Sequence, residues 1–184
     1  MIWNLFKRKK ANQALVERQY SEITRGARTP VFYESMGVPD TVMGRFELIS
    51  IHMVLYLRRT ASGGAASKGI AQEVVDAFFE DIDHSIRELG IGDMGVPKRM
   101  KKLARMFYGR ATSYGQALES GDNAGLIEAL KRNLYPGQPD SAPSVQKLAD
   151  WMIETAGMLE DVPEETLAAG HMTFAKTDPT AVIR

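Results

Sequence analysis

The spacing of apolar residues is the feature that most restricts how this chain can fold. Every long patterned stretch repeats its apolar residues at intervals of three and four, as in Val16, Tyr20 and Ile23, which places them on one face of an α-helix. No long stretch alternates apolar and polar side chains in the manner of a half-buried strand. The pattern therefore predicts an all-α protein, a single-domain irregular bundle of about six to eight helices.

One helix should lie at the centre of the bundle. Between residues 46 and 57 only Glu47, Ser50 and His52 interrupt the apolar residues, which indicates a helix that is buried on nearly all sides. A lone histidine in such a helix is usually a neutral core residue with one hydrogen bond. We therefore expect His52 to contribute to packing rather than to chemistry.

Turn signals divide the rest of the chain into helices and connections. The stretch "ASGGAASKG" at residues 61–69 indicates a mobile connection, and "YPGQPDSAPS" at 135–144 is the clearest loop. Helices are expected at about residues 12–26, 30–37, 39–59, 71–89, 97–110, 112–119, 123–134 and 144–160, with a short one after Pro163. The predicted inward faces of the 71–89 and 97–110 helices comprise Ala71, Val74, Val75, Phe78, Ile82, Ile86 and Leu89, and then Met100, Leu103, Ala104 and Phe107.

Composition fits one domain that is held together by packing. The 184 residues are 44% apolar, enough for a substantial core. We expect residues 12–176 to form one helical domain between a basic, flexible N-terminus at 1–11 and a flexible tail at 177–184. The absence of cysteine excludes disulfides, thiolate metal sites and thiol nucleophiles. No apolar run reaches the about 20 residues of a transmembrane helix, and the first residues lack the order of a secretory signal.

Charge is balanced over the whole chain but clustered locally. The chain has 23 basic residues (lysine and arginine) and 23 acidic residues (aspartate and glutamate). Any electrostatic preference for a partner must therefore come from local patches. Residues 97–110, "PKRMKKLARMFYGR", contain six cations and no acid. This stretch is either an ordinary solvated helix face or a docking surface for an acidic protein, ribosomal RNA or anionic headgroups.

Two further features also allow both a functional and a purely structural interpretation. The segment "WNLFKRKK" has the composition of a weak interfacial anchor, or of a frayed terminus. The ten methionines could line a groove for varied apolar partners, although filling a core is their commoner use. Neither feature alone indicates a function.

The acidic helix before the basic one contains a possible metal-binding pair. Asp81 and His84 have the i, i+3 spacing by which a carboxylate and an imidazole meet a metal in a di-iron helical bundle. The other histidines, His52 and His171, have no carboxylate at the matching position, so half of such a site is missing. The simpler interpretation is a solvated helix face with Glu80–His84 and Asp83–Arg87 pairs. No nucleotide-binding glycine motif and no nucleophile elbow is present, so no enzyme is indicated.

Residues 32–59 and 76–118 resemble the ubiquinol-cytochrome c chaperone family. The second block carries the more specific pattern, an acidic "FxDxDxxxRExGxGD" followed by a basic "KxMKKxxxxFYGRxxxY". In this chain the pattern comprises Phe79, Asp81, Asp83, Arg87, Glu88, Gly90, Gly92, Asp93, Lys98, Met100, Lys101, Lys102, Phe107, Tyr108, Gly109, Arg110 and Tyr114.

The resemblance implies an all-helical, non-catalytic assembly chaperone for ubiquinol-cytochrome c reductase, respiratory complex III. Such a protein would bind newly made cytochrome b, without a cofactor or metal of its own, and it would have no DNA partner. The ribosome, the inner-membrane surface and a second assembly factor are further possible partners. Because the chain begins almost at the domain, it resembles a bacterial version that is peripheral to the cytoplasmic face of the inner membrane.

The residues expected to bind a partner come from the resemblance and from the charge clusters together. They are Arg45, Asp81, Asp83, Arg87, Asp93, Lys98, Lys101, Lys102, Tyr108 and Arg110, with the ionised groups directed outward. Two other functions stay open from the residues alone. A ribosome- or RNA-binding helical module would use the same cations, and a helical metalloenzyme would need an internal carboxylate and histidine cluster.

Overall fold

The computed structural model describes residues 2–135 and 145–177, and within the first helix it describes side chains from Asn12 onward. In these ranges every regular element is a helix, which confirms the all-α prediction. The elements are α1 (Ile2–Ala27), α2 (Val31–Glu34), α3 (Val42–Ala61), α4 (Ala65–Glu88), α5 (Val96–Ser120), α6 (Asn123–Leu134), α7 (Val145–Glu160) and α8 (Glu164–Ala168). Most of the loop predicted at 135–144 and of the tail predicted at 177–184 lies outside the described residues, namely 136–144 and 178–184, as do the side chains of the basic segment 1–11.

Helix α3 forms the centre of the bundle, as its nearly continuous apolar composition predicts. It contacts α1, α4, α5, α6 and α7, and Leu48, Ile51 and Met53 have no exposed surface. The helix begins after Thr41, whose side-chain oxygen accepts a hydrogen bond from the backbone N–H of Gly44 at 3.1 Å. The helix predicted at 39–59 therefore begins three residues later than expected, with Thr41 as its N-cap.

Three predicted boundaries are wrong. Helix α4 begins at Ala65, so it takes up much of the connection predicted at 61–69. Helix α5 runs without a break to Ser120, and the separate helix predicted at 112–119 is its C-terminal part. Helix α1 begins at Ile2 rather than near residue 12. In the first two cases glycine lowered the predicted helix propensity, whereas packing along one face stabilises the helix.

The segment after α8 closes one side of the core. Trp151 of α7 donates a hydrogen bond from its indole Nε1 to the carbonyl oxygen of Ala175 at 3.0 Å. The Phe174 ring lies 4.6 Å from the His52 ring, centroid to centroid, and Met172 is only 4% exposed. Residues 171–177 are therefore part of the packed structure, although they form no helix.

No helix in the described part of the chain is both long and apolar enough to cross a membrane. The long helices are instead amphipathic, and their apolar faces converge on one hydrophobic core. Helices α4 and α5, which carry most of the predicted partner-binding residues, pack against each other and against α3. The geometry of these three helices creates the candidate site.

Candidate functional site

An open groove lies between the beginning of α3, the end of α4 and the beginning of α5. It consists of two adjoining chambers with volumes of about 910 Å³ and 890 Å³. We call the first the acidic chamber, because carboxylates predominate among its charged lining residues, and the second the basic chamber, because its charged lining residues are all cations. Each chamber alone has a volume within the about 300–1,000 Å³ of a small-molecule pocket, and because the two adjoin they form a longer groove.

Apolar side chains line the junction of the two chambers. The residues that both chambers share are Val42, Met43, Ile86, Leu89 and Leu103. Of these, Val42 is 62% exposed, Met43 42% and Leu89 59%. Large apolar side chains that meet in a concave, open place mark an interaction surface more often than apolar residues scattered singly.

The exposure of Leu89 overturns one prediction from the sequence. The apolar stripe of α4 predicted an inward Leu89, but the helix ends at Glu88 and Leu89 is its C-cap residue. The chain then turns through Gly90, whose φ is +76°, and leads through an exposed Met94 into α5. Because no element within residues 2–135 and 145–177 covers the end of the stripe, its last apolar residue contributes to the groove instead of the core.

Among the described residues, five cations of α5 and no carboxylate line the basic chamber. They are Lys98, Arg99, Lys101, Lys102 and Arg105. All five are exposed, as their spacing on the predicted helix indicates. The methionines include both groove-lining and core residues, since Met106 lines this chamber whereas Met152 is fully buried in the core.

The acidic chamber brings together two of the predicted partner-binding residues, Arg45 and Asp81. Arg45 donates from Nε to Asp40 at 2.8 Å, and this hydrogen bond lowers the pKa of Asp40. Asp81 accepts a hydrogen bond from the Tyr20 hydroxyl at 2.7 Å. Burial raises the pKa of Tyr20 above its ordinary range, and the bond to Asp81 raises it further.

Asp83, Arg87 and Asp93 form an exposed charge cluster on the outer side of α4. Arg87 donates from Nε to Asp83 at 2.6 Å and from Nη1 to Asp93 at 2.5 Å. The bond to Asp83, followed by that to Asp93, raises the pKa of Arg87. None of the three lines either chamber, so their contacts fasten the loop after α4 to the helix.

Arg110 does not lie outward with the other cations, and that prediction is wrong. Its Nε and Nη2 donate to the two carboxylate oxygens of Glu47 at 2.6 Å and 2.5 Å. The side chains of Arg110 and Glu47 are 12% and 3% exposed. Burial raises the pKa of Glu47, and the bonds from Arg110 act in the opposite direction. This pair joins α5 to the core helix α3 and leaves five of the six predicted cations available at the surface.

Tyr108 of α5 points outward, at the edge of an aromatic cluster. Its ring is 5.3 Å from that of Phe107 and 6.1 Å from that of Phe79, centroid to centroid. Tyr108 is 54% exposed, whereas Phe107 is fully buried. The expected partner-binding residue therefore forms the outer edge of an aromatic cluster and lines neither chamber.

His52 is a neutral core residue, as the sequence predicted. Its Nδ1 lies 2.8 Å from the Leu48 carbonyl oxygen, and its ring packs against Phe32, Trp151 and Phe174. Burial lowers the pKa of His52 to about 4. The role of His52 is packing within an aromatic cluster.

Asp81 and His84, the possible metal-binding pair on α4, each contact another side chain instead. Asp81 bonds to Tyr20, and His84 Nε2 lies 3.2 Å from Glu88 rather than pairing with Glu80 as predicted. Within residues 2–135 and 145–177, no group of three histidine, aspartate or glutamate side chains is placed to hold a metal ion. The pair Asp83–Arg87 forms as predicted.

A helical body with an open apolar groove and charged rims is typical of proteins that bind segments of other proteins. The chain belongs to the ubiquinol-cytochrome C chaperone family, whose pattern it matches over residues 34–174. Both the groove and the buried pair lie almost wholly within this range. The resemblance found from the sequence is thereby confirmed.

Individual relatives agree with this assignment. The chain is similar to the crystal structure of the Cbp3 homolog from Brucella abortus, with a TM-score of 0.88, 46% sequence identity and coverage of 100% of both chains. It is 26% identical over 144 residues to ubiquinol-cytochrome-c reductase complex assembly factor 1 of Xenopus laevis, covering 78% of this chain and 72% of that protein. Identity to the human protein of the corresponding name is 20% over 171 residues, covering 91% of this chain and 57% of the human protein.

Proposed function

We propose that this protein is a non-catalytic assembly chaperone for ubiquinol-cytochrome c reductase, and that its client is newly made cytochrome b. The family is one of chaperones, and relatives are named as assembly factors for that complex. Cytochrome b as the client follows from the family resemblance. The protein would protect an apolar segment of this client until the next subunit joins.

The groove is the single observation that carries the proposal. Val42, Met43 and Leu89 expose apolar surface at the junction of two adjoining chambers, and the two chambers together form one extended groove. An amphipathic or apolar helix placed in such a groove buries its apolar stripe. A membrane protein that has not yet reached its partners supplies segments of this kind.

The exposed cations of α5 suit a protein that works at a membrane surface or a ribosome, where a newly made membrane protein emerges. Lys98, Lys101 and Lys102 form an exposed row without a carboxylate in the chamber that they line. A row of this kind is attracted to anionic headgroups or to ribosomal RNA and loses that attraction as salt rises. We propose that the protein works at the cytoplasmic face of the inner membrane, with the groove close to the emerging client.

A matched pair of methionines tests the groove. Met43 in the groove and Met158 on α7 have nearly equal exposure, 42% and 43%, and Met158 lines neither chamber. We expect Met43→Glu to abolish co-purification of cytochrome b with the tagged protein and to lower the amount of assembled complex III. Met158→Glu should leave both unchanged, because it places the same charge at equal exposure elsewhere.

The same purification separates the proposal from its alternatives. Cytochrome b that stays bound to the Met43→Glu protein at the original level would remove the groove from the proposal. Bound ribosomal RNA without any client would favour the RNA-binding module, and near-stoichiometric iron, manganese or zinc would favour the metalloenzyme. Circular dichroism of each variant checks that the helical fold is retained.

A further inference from the structure

The two ends of the groove carry opposite electrostatic character. The basic chamber presents five cations and no carboxylate, and α5 begins beside it at Val96, so the positive end of that helix adds to the same field. In the acidic chamber Arg45 and Asp40 neutralise each other. The remaining charged lining residues are Arg28 and three carboxylates, Glu34, Asp81 and Glu88, so the acidic chamber has an excess of negative charge.

The apolar junction lies between these ends, since both chambers share Val42, Met43 and Leu89. An occupant that covers the junction must therefore extend toward cations in one direction and toward carboxylates in the other. A helix is itself polar along its axis, with partial positive charge at its N-terminus and negative charge at its C-terminus. One of its two orientations in the groove places opposite charges together, and the other places like charges together.

We propose that the groove binds a client helix in one orientation, with the C-terminal end over Lys98 and Lys102 and the N-terminal end in the acidic chamber. The preferred segment has a continuous apolar stripe, a carboxylate just after its C-terminal end and a cation before its N-terminal end. This inference rests on the proposed function, because it names the class of client segment that the same groove selects. Specificity in this arrangement comes from rejecting the reversed helix as well as from attracting the correct one.

Three stapled helical peptides with one apolar stripe test the orientation. The forward peptide has lysines before the stripe and glutamates after it, the reverse peptide exchanges these flanks, and the third has serine flanks; all three are acetylated and amidated. We expect the purified protein to bind the forward peptide about tenfold more tightly than the reverse peptide at low salt by fluorescence anisotropy. The serine peptide should lie between them, and the preference should shrink as salt is added.

A matched pair of charge reversals identifies the residues responsible. The variant Lys98→Glu/Lys102→Glu should lose the preference for the forward peptide or invert it. The control Lys68→Glu/Lys176→Glu makes the same change in net charge at exposed residues that line neither chamber, and it should keep the preference. Because all four lysines are exposed, neither variant removes a buried contact.

The outcomes separate the orientation from the proposed function. If the three peptides bound equally and Met43→Glu abolished the binding of all three, the orientation would be overturned but the groove would remain the client site. Absence of binding by any peptide, or binding that Met43→Glu does not weaken, would overturn both. Two other occupants of the groove would also overturn the orientation. A second copy of the protein would show itself as self-association that Met43→Glu abolishes. Lipid would show itself if phosphatidylglycerol vesicles competed equally with all three peptides for binding to the unaltered protein.

Discussion

At the scale of single residues, the ion pair with Glu47 explains why Arg110 does not face solvent as the other cations of α5 do. Both groups are almost fully enclosed, and the guanidinium meets both carboxylate oxygens. Arg110 also donates from Nη1 to the Met106 carbonyl oxygen at 3.1 Å within its own helix. The pair compensates for the cost of burying each charge, and it sets how α5 lies on α3.

Replacing Arg110 alone should be strongly destabilising. Arg110→Met leaves the Glu47 carboxylate buried without its ionic partner, and we expect the free energy of unfolding to fall by about 3 kcal/mol or more. The double variant Glu47→Met/Arg110→Met should recover most of this loss, because no uncompensated charge remains. Urea denaturation of both variants measures the effect. Arg87→Met, which removes an exposed guanidinium, is the control and should change stability far less.

His52 should make the stability of the protein depend on pH. Burial lowers its pKa from 6.5 to about 4 in the folded state. The unfolded chain therefore takes up a proton first as pH falls, and stability is lost between these two pKa values, by about 3 kcal/mol in full. Urea denaturation across this pH interval should show the loss in the unaltered protein and not in His52→Gln.

The His52 comparison has an internal control. The raised pKa of Glu47 has the opposite effect on stability at acidic pH, and it is present in both proteins, so it cancels in the difference between them. If the two proteins lost stability in parallel as pH falls, His52 would not be a neutral buried group.

At the scale of helices, the uninterrupted α5 is what brings the basic chamber and the buried pair into one rigid unit. The helix runs from Val96 to Ser120, with Lys98 near its start and Arg110 further along. Gly109 lies within it, and a Cβ added there would meet no atom within 4 Å. The glycine is therefore compatible with the helix but does not favour it.

Substituting Gly109 should stabilise the protein. Gly109→Ala reduces the conformational freedom of the unfolded chain and adds no clash, so we expect a gain of about 0.5–1 kcal/mol in the free energy of unfolding. Gly44→Ala is the contrasting substitution, because its Cβ would lie 1.9 Å from the Pro39 carbonyl oxygen, and it should destabilise the start of α3. Thermal and urea denaturation measure both. A loss of stability in Gly109→Ala would contradict a continuous α5.

At the scale of the whole molecule, residues distant in sequence complete one core. The segment 171–177 covers Trp151 and His52, which belong to α7 and α3. The matched family pattern also extends to residue 174, so the first part of this irregular segment, up to Phe174, falls within the family's range. The structure thus depends on its last described residues although they form no helix.

Removing that segment should destabilise the whole fold. A chain that ends at Gly170 loses the burial of Met172 and Ala175 and the ring contact of Phe174. We expect a loss of about 3 kcal/mol or more in the free energy of unfolding, with Trp151 fluorescence shifted to longer wavelength as water reaches the ring. A chain that ends at Thr177 keeps all these contacts and serves as the control. Equal stability of the two would show that the segment does not support the core.

The sequence by itself determined the helical class, the family and most helix positions. Apolar periodicity needs only local geometry, so it placed α6 and α7 close to their observed bounds, Asn123–Leu134 and Val145–Glu160. The exposed row Lys98, Lys101 and Lys102 followed from the same periodicity. Where a prediction failed, as at residues 61–69 and 112–119, local glycine signals were outweighed by contacts with other helices.

Only the tertiary structure decided which charges and which apolar residues are available to a partner. Arg110 is enclosed because Glu47, which is 63 residues away in sequence, lies opposite it. Leu89 is exposed because no described element packs over the end of α4, and the groove is lined jointly by residues of α3, α4 and α5. Periodicity states which side of a helix is apolar, but whether another helix covers that side depends on contacts between distant parts of the chain.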